Sequence, residues 1–259
     1  MRQRVENQVI VQARMGSTRL PGKVLMDLAG YPVIDHVVFR ASAATRVDRL
    51  VVATTDQADD DQLYNWCAQN HICCVRGSCD DVLARFIATL DEYPCDNLIR
   101  ITADCPFVDP GVIDSLIALH QATSSDYTSN VLEYSFPHGL DAEVVSSAVL
   151  RRMGDFTRLA SHREHVTLYI RENPDRFATV NLGWGRDDSA IRLTLDHKED
   201  YQVISRLFEL LEPAGRLFSL YQVIELAQRM PELFDANAGI DRYEGLRRSL
   251  AAEERDLKL

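Results

Sequence analysis

The feature that most constrains the fold of this chain is an alternation. In its first half, short β-branched runs take turns with segments of helical periodicity. Residues 9–12 (VIVQ), 49–54 (RLVVAT), 72–75 (ICCV) and 98–102 (LIRIT) read as buried strands. Residues 33–44, 59–69, 80–90 and 111–119 read as the helices between them. Within 80–90, Val82, Leu83, Phe86, Ile87 and Leu90 fall on one helical face. Apolar strands joined by helices build a largely parallel sheet that is covered on both faces. The expected fold class is α/β, with helices flanking a mostly parallel mixed sheet.

From about residue 126 the rhythm changes. Tyr127, Thr128, Tyr134 and Phe136 stand among turn residues. Residues 141–145 read as a strand, 162–171 as a helix, 176–182 as extended chain and 192–195 (RLTL) as a core strand. Residues 130–185 are expected to form a β-ribbon and helical insertion serving self-association and acceptor binding. Charged helices follow over 201–211, 221–230 and 242–254. No repeat, low-complexity tract or linker interrupts the 259 residues, so a single domain over 1–259 is expected.

The formal net charge of −11 speaks against nucleic-acid binding, which needs broad basic patches. It does not speak against a small anion, which feels local charge. No run approaches the roughly 20 apolar residues of a membrane span, and MRQRVENQ lacks the apolar stretch of a signal peptide. The six cysteines include no C-x-x-C pair, which argues against a disulfide framework or zinc site. Reduced thiols in a cytoplasmic protein are expected.

Against that acidic total, residues 9–23 (VIVQARMGSTRLPGK) gather Arg14, Arg19 and Lys23 directly after the first strand. Such a loop lies at the carboxyl edge of the sheet, where ligands bind. Gly16 and Gly22 permit close backbone approach, and exposed N–H groups there make an anion-binding concavity. The three cations match a polyphosphate. The loop is not a Walker P-loop: five residues separate Gly16 from Gly22, and Val24 follows the lysine. Two more strands end in aspartate, Asp104 in ITADCP and Asp196 in RLTLD. Asp104 alone reads first as a turn or cap aspartate. Together with the loop the two aspartates make a metal–nucleotide site, since carboxylates hold a hard divalent cation beside phosphates.

The segments QARMGSTRLPGKVL, RGSCDDVLARF, RITADCPFVDP, HGLDAEVV, REHVT and RLTLDHKEDY resemble the spore-coat polysaccharide biosynthesis protein F family. These are cytidylyltransferases related to the synthetases of CMP-sialic acid and CMP-3-deoxy-octulosonate. The resemblance runs from about Val9 to Tyr201. It implies a Rossmann-like nucleotide-diphospho-sugar transferase fold and Mg²⁺-dependent transfer of CMP from CTP to an acidic sugar, with pyrophosphate released, in a homodimer. By motif match, Arg14, Arg19 and Lys23 would grip the triphosphate. Ala13, Gly16, Gly77 and Ser78 would frame the cytosine, with Arg85 in the same segment. Thr54 and Asp56 would lie near the nucleotide, and Asp104 and Asp196 would hold Mg²⁺. Arg14, Lys23, Asp104 and Asp196 would carry the catalysis. No protein nucleophile is required.

The remaining polar clusters offer an acceptor pocket: His138, Asp141, Glu143, Arg163, Glu164 and His165. Arg163 could hold a carboxylate as a fork. His162 and His165 have no third ligand with metal-site spacing, which argues against zinc. Three rival readings stay open: a glycosyltransferase of similar fold, a sugar-phosphate nucleotidyltransferase, and a non-catalytic nucleotide-binding subunit. The first would show Asp-x-Asp where this chain has Asp104-Cys-Pro. The second would place more residues between Arg19-Leu20 and Lys23. The last could dispense with Asp104 or Asp196.

Overall fold

The computed structural model describes residues 5–211 and 215–256. Its strands are β1 (Asn7–Gln12), the small hairpin β2 and β3 (Asp27–Leu28 and Tyr31–Pro32), β4 (Arg49–Thr55), β5 (Cys73–Gly77), β6 (Asn97–Thr102), β7 (Tyr127–Ser129), β8 (Glu143–Ser146) and β9 (Thr179–Asn181). The main sheet runs in the order β5-β4-β1-β6-β8-β7-β9. β5, β4, β1 and β6 are parallel, β8 is antiparallel to both β6 and β7, and β9 lies parallel to β7.

The α-helices are α1 (Val33–Ser42), α2 (Asp61–Gln69), α3 (Val82–Glu92), α4 (Pro110–Thr123), α5 (Ser147–Phe156), α6 (Ala160–Glu164), α7 (Leu168–Glu172), α8 (Lys198–Leu211), α9 (Leu220–Arg229) and α10 (Glu244–Asp256). The sides of β1 show why they take two layers. Val9 and Val11 enter one apolar core with Ile34, Ile113, Val203 and Val223, from α1, α4, α8 and α9. Ile10 points the other way, into a core with Leu83, Phe86, Leu150 and Ile170, from α3, α5 and α7. Successive strand residues face opposite sides, so a strand buried on both must be apolar throughout. Local capping sets the helix starts: Asp81 accepts from Ala84 N, Asp109 from Gly111 N and Val112 N, and Ser219 forms a capping box with Gln222.

Two expectations are corrected. The helix anticipated over 162–171 is two short helices, broken at Val166, whose φ is +56°. Val166 is fully buried in the second core, and packing outweighs the local cost of left-handed backbone at a β-branched residue. Residues 192–195 do not form a strand of the sheet. They dock through Leu193 N to His138 O (2.7 Å) and Leu195 N to Asp104 O (2.8 Å), with one isolated bridge between His138 and Arg192. Their apolar pattern records burial rather than pairing. Within 130–185, β8 is inserted between β6 and β7, and β9 forms the sheet edge.

Candidate active site

The cationic loop is closed on itself. Met15 O accepts from Ser17 N (2.8 Å) and Gly22 N (3.1 Å), and Gly22 takes a φ of +71° that a side chain would resist. At the loop's base, Ala13 N donates to Ala53 O (3.1 Å) and Ala103 N to Gln12 O (2.9 Å), so three strand ends lie side by side. Asp60, buried, accepts from Met15 N (2.6 Å) and Thr55 N (3.2 Å) and ties the loop to the end of β4.

Lys23 is the centre of the arrangement. Its ammonium donates to Asp104 Oδ2 (2.6 Å), Asp196 Oδ1 (2.8 Å) and the Leu195 carbonyl (2.8 Å), which uses all three protons. Arg19 bridges Asp196 (2.7 Å) and Glu244 (2.9 Å), and His197 Nε2 also meets Glu244 (2.9 Å). The Asp196 turn is held from behind, where Asp200 Oδ2 accepts from Asp196 N and His197 N at 2.9 Å each. Asp200 is in turn gripped by Arg192 at 2.7 and 3.0 Å. Burial alone would lower the Lys23 pKa, but Asp104 and Asp196 outweigh it and the net direction is up. Burial alone would raise the Asp104 carboxyl; Lys23 outweighs that and holds it well below the usual carboxylate range. The pair is ionised.

Two adjoining cavities open around it. The first, about 160 Å³, is walled by Gln12, Ala13, Arg14, Ser17, Thr18, Arg19, Lys23, Thr102, Asp104, Asp196 and Arg248, among others. The second, about 260 Å³, shares Arg19, Thr102, Asp104 and Asp196 with it. From there it extends to His138, Asp141, Glu143 and His165, and to Arg100, Tyr134, Arg171, Arg242 and Tyr243. Burial, reinforced by Arg242 and Arg192, pushes the His138 imidazole down to about 3, and burial lowers His165 as well. Burial raises the Asp141 carboxyl against the pull of Arg242. Glu143 is held low, because Arg100, Arg171, Thr167 and Tyr127 outweigh its burial.

Ala13, Arg14, Arg19, Lys23, Asp104 and Asp196 are thus brought together, as are His138, Asp141, Glu143 and His165. Other anticipated residues do not line either cavity. Gly16 and Asp56 are exposed, and Thr54 is buried in β4. Gly77 packs against Arg85, and the Ser78 hydroxyl accepts from Asp81 N at 3.0 Å. Arg85 is buried; burial and then Arg14 lower its pKa to about 10, and its Nε has no hydrogen-bond partner. Arg163 points away, pairing with Asp81 (2.6 Å) and the Thr157 carbonyl (3.0 Å), while Glu164 accepts from Ser249 (2.7 Å).

Residue-level reading passed over Gln12, Arg100, Arg171, Arg242, Tyr243 and Arg248. A cation inside the apolar strand LIRIT was a usable signal for Arg100. The others carry none locally, and three of them come from the chain after residue 240, which holds no motif. Among the described residues no group of three or more His, Cys, Asp or Glu side chains could hold a metal. A Mg²⁺ site built from two carboxylates and phosphate oxygens would not form such a group.

A family model described as cytidylyltransferase matches residues 8–237. The spore coat polysaccharide biosynthesis protein SpsF of Bacillus subtilis (strain 168) is 39% identical over 232 residues, covering 86% of this chain and 94% of that protein. The 3-deoxy-manno-octulosonate cytidylyltransferase 2 of Hydrogenovibrio crunogenus (strain DSM 25203 / XCL-2) is 28% identical over 181 residues, 69% of this chain and 73% of that one. A solved cytidylyltransferase from Leptospira borgpetersenii serovar Hardjo-bovis (strain JB197) superposes with a TM-score of 0.86 at 28% identity, over 92% of this chain and 100% of its own. The structure of CMP:2-keto-3-deoxy-manno-octonic acid synthetase complexed with CTP, at 16% identity and a TM-score of 0.61, shares the fold over 79% of this chain and 99% of its own. Because the matched span takes in the whole cationic loop and both Asp104 and Asp196, the chain belongs to the cytidylyltransferase family of nucleotidyltransferases.

Proposed function

We propose that this protein transfers the cytidylyl group of CTP to an acidic sugar, with release of pyrophosphate, for polysaccharide assembly. The observation that carries the reading is the buried Lys23 ammonium, which gathers Asp104 and Asp196 on the wall common to both cavities. The nucleotide occupies the first cavity and the acceptor the second, so the acceptor hydroxyl meets the α-phosphorus across that wall. Its oxygen forms the new bond as the bond to pyrophosphate breaks.

Arg14, Arg19 and Lys23 place positive charge where negative charge builds on the leaving group, a preorganised electrostatic contribution. Asp104 and Asp196 both meet the Lys23 ammonium, each through one oxygen; a carboxylate pair suits Mg²⁺, which takes one or two protein carboxylates and fills its shell with phosphate and water. These two residues would hold the ion. When bound, it neutralises phosphate oxygens and eases loss of the acceptor's hydroxyl proton.

On the acceptor side, Arg171 and Arg242 take the role foreseen for Arg163. Arg171 Nε and Arg242 Nη2 are buried without a hydrogen-bond partner, and buried donors call for acceptors. A carboxylate satisfies both by charge-assisted bonds. Asp141 and neutral His138 are left for sugar hydroxyls. This reading also takes the protein to be cytoplasmic and homodimeric; no helix among the described residues is long and apolar enough to cross a membrane.

Pyrophosphate release from CTP, UTP, GTP or ATP with Mg²⁺ and a panel of sugar acids, 3-deoxy-manno-octulosonate included, tests the proposal. Release with CTP and one acid is expected. Release only with a sugar phosphate would replace the proposed acceptor class, and no CTP-dependent release with any acceptor would sink the reading.

A further inference from the structure

We infer that helix α10 supplies a nucleotide-binding residue, Arg248, and that Glu244, one turn earlier, competes with the nucleotide's terminal phosphates for Arg19. The inference rests on the first cavity being the CTP site. It concerns a part of the chain beyond residue 237, where the family match ends.

The helix reaches the site by its own anchors. Ser161 bonds Glu253 through its hydroxyl (2.8 Å), Ser249 donates to Glu164 (2.7 Å), and His165 meets Ser249 (3.1 Å). None of these involves Arg248. Its neighbour Arg247 is neutralised by Asp241 (2.7 Å), and Arg255 turns back to the Ala251 carbonyl (3.0 Å). Arg248 instead leans over the cationic loop, donates to the Thr18 hydroxyl (3.0 Å) and joins the wall of the first cavity. A cation placed on a neutral hydroxyl beside Arg19 and Lys23 is disposed to take an anion.

Glu244 supplies the opposing charge. It holds Arg19 and His197 at 2.9 Å each, and these hydrogen bonds keep its carboxyl below the usual range. Thr18 and Arg19 lie five and six residues past Ala13 in the loop, and Arg19 is a residue the proposed function sets on the triphosphate. Arg248 therefore faces the β- and γ-phosphates rather than the base. Phosphate bound by Arg19 must share it with Glu244 or displace that carboxylate.

Calorimetric titration of CTP and CMP with Mg²⁺ into the full-length wild type and three variants tests this. Arg248→Ala should weaken CTP about tenfold, the loss of one charge-assisted contact, and change CMP less than about twofold. Arg248→Lys should recover most of the CTP affinity. Glu244→Gln should tighten CTP by about two- to fivefold, a modest gain because the pair is partly exposed. Unchanged CTP affinity in Arg248→Ala, or equal losses for CTP and CMP, overturns the inference while leaving the cytidylyltransferase reading intact. A wild type that binds no CTP overturns that reading, and the inference with it.

Discussion

At the scale of single residues the site is a charge arrangement centred on Lys23. Its ammonium is the counter-ion of two carboxylates, so each change removes a defined interaction. Asp104→Asn should lower CTP turnover on the order of 10²–10³-fold, the size of losing one preorganised electrostatic contact at a reacting phosphate. Lys23 keeps Asp196 and the Leu195 carbonyl in that variant, so circular dichroism should remain that of the wild type. Near-wild-type turnover would remove Asp104 from the chemistry. The pH dependence has a definite sign. The Asp104 carboxyl is depressed in the fold, so its stabilisation is complete above the unfolded value of about 3.9 and is lost as pH falls towards the folded one. The Lys23 ammonium is raised, so its stabilisation is complete below about 10.4 and is lost as pH rises through the folded value. Urea midpoints should therefore show a shallower acid limb below about pH 4 in Asp104→Asn, with an unchanged slope from about pH 6 to 8. A slope altered in the neutral range would mean that the pair is not ionised.

At the scale of elements, the site depends on how the segment carrying Asp196 is seated. Gly139 has a φ of +107°, and a Cβ there would lie 2.6 Å from the backbone of Leu193 and Thr194. Any side chain must push that segment away from His138, and with it Leu195 and Asp196. Gly139→Ala should cost at least about 2 kcal/mol, in the range of strained left-handed backbone, and lower Tm by roughly 4–8 °C. It should also depress turnover, because Asp196 moves. Gly16→Ala is the control. Nothing lies within 4 Å of a Cβ at Gly16, and its Tm should stay within about 2 °C of wild type. Equal melting temperatures for both variants would show that the close approach at Gly139 is not a constraint. The break at Val166 belongs to this scale too. Residues 162–171 read as one helix, yet the chain breaks at Val166, whose side chain is buried and whose φ is +56°.

At the scale of the whole molecule, Arg40 joins distant parts of the chain. Fully buried on α1, it donates to the carbonyls of Val108 (2.8 Å), Arg216 (2.8 Å) and Phe218 (2.9 Å) and lies 4.1 Å from the Phe218 ring; burial lowers its pKa to about 10. Arg40→Met would leave three carbonyls without that donor, so Tm should fall by several degrees, at roughly 2–4 °C per kcal/mol. CTP affinity should hold within about twofold, because none of these groups lines the first cavity. A matching loss of CTP binding would show that the site and the core are not separable. The same scale separates what could be read from residues alone. The alternation of apolar runs and helical faces determined the parallel sheet. It also placed Arg14, Arg19, Lys23 and Asp104 at the strand ends, because backbone periodicity is a local property and strand ends follow from it. Asp196 was legible as the end of an apolar run, although that run is docked beside the sheet rather than paired in it. Of the second cavity, His138, Asp141, Glu143 and His165 were legible, but its guanidiniums Arg171 and Arg242 were not. Arg163 looked like the carboxylate fork, yet it pairs with Asp81, 82 residues away in sequence, while Arg19 meets Glu244 across 225 residues. Which guanidiniums line the second cavity, and that Arg248 of α10 lines the first, is decided by packing between segments far apart in the chain. No local pattern encodes those contacts, since their energy exists only once both partners are in place.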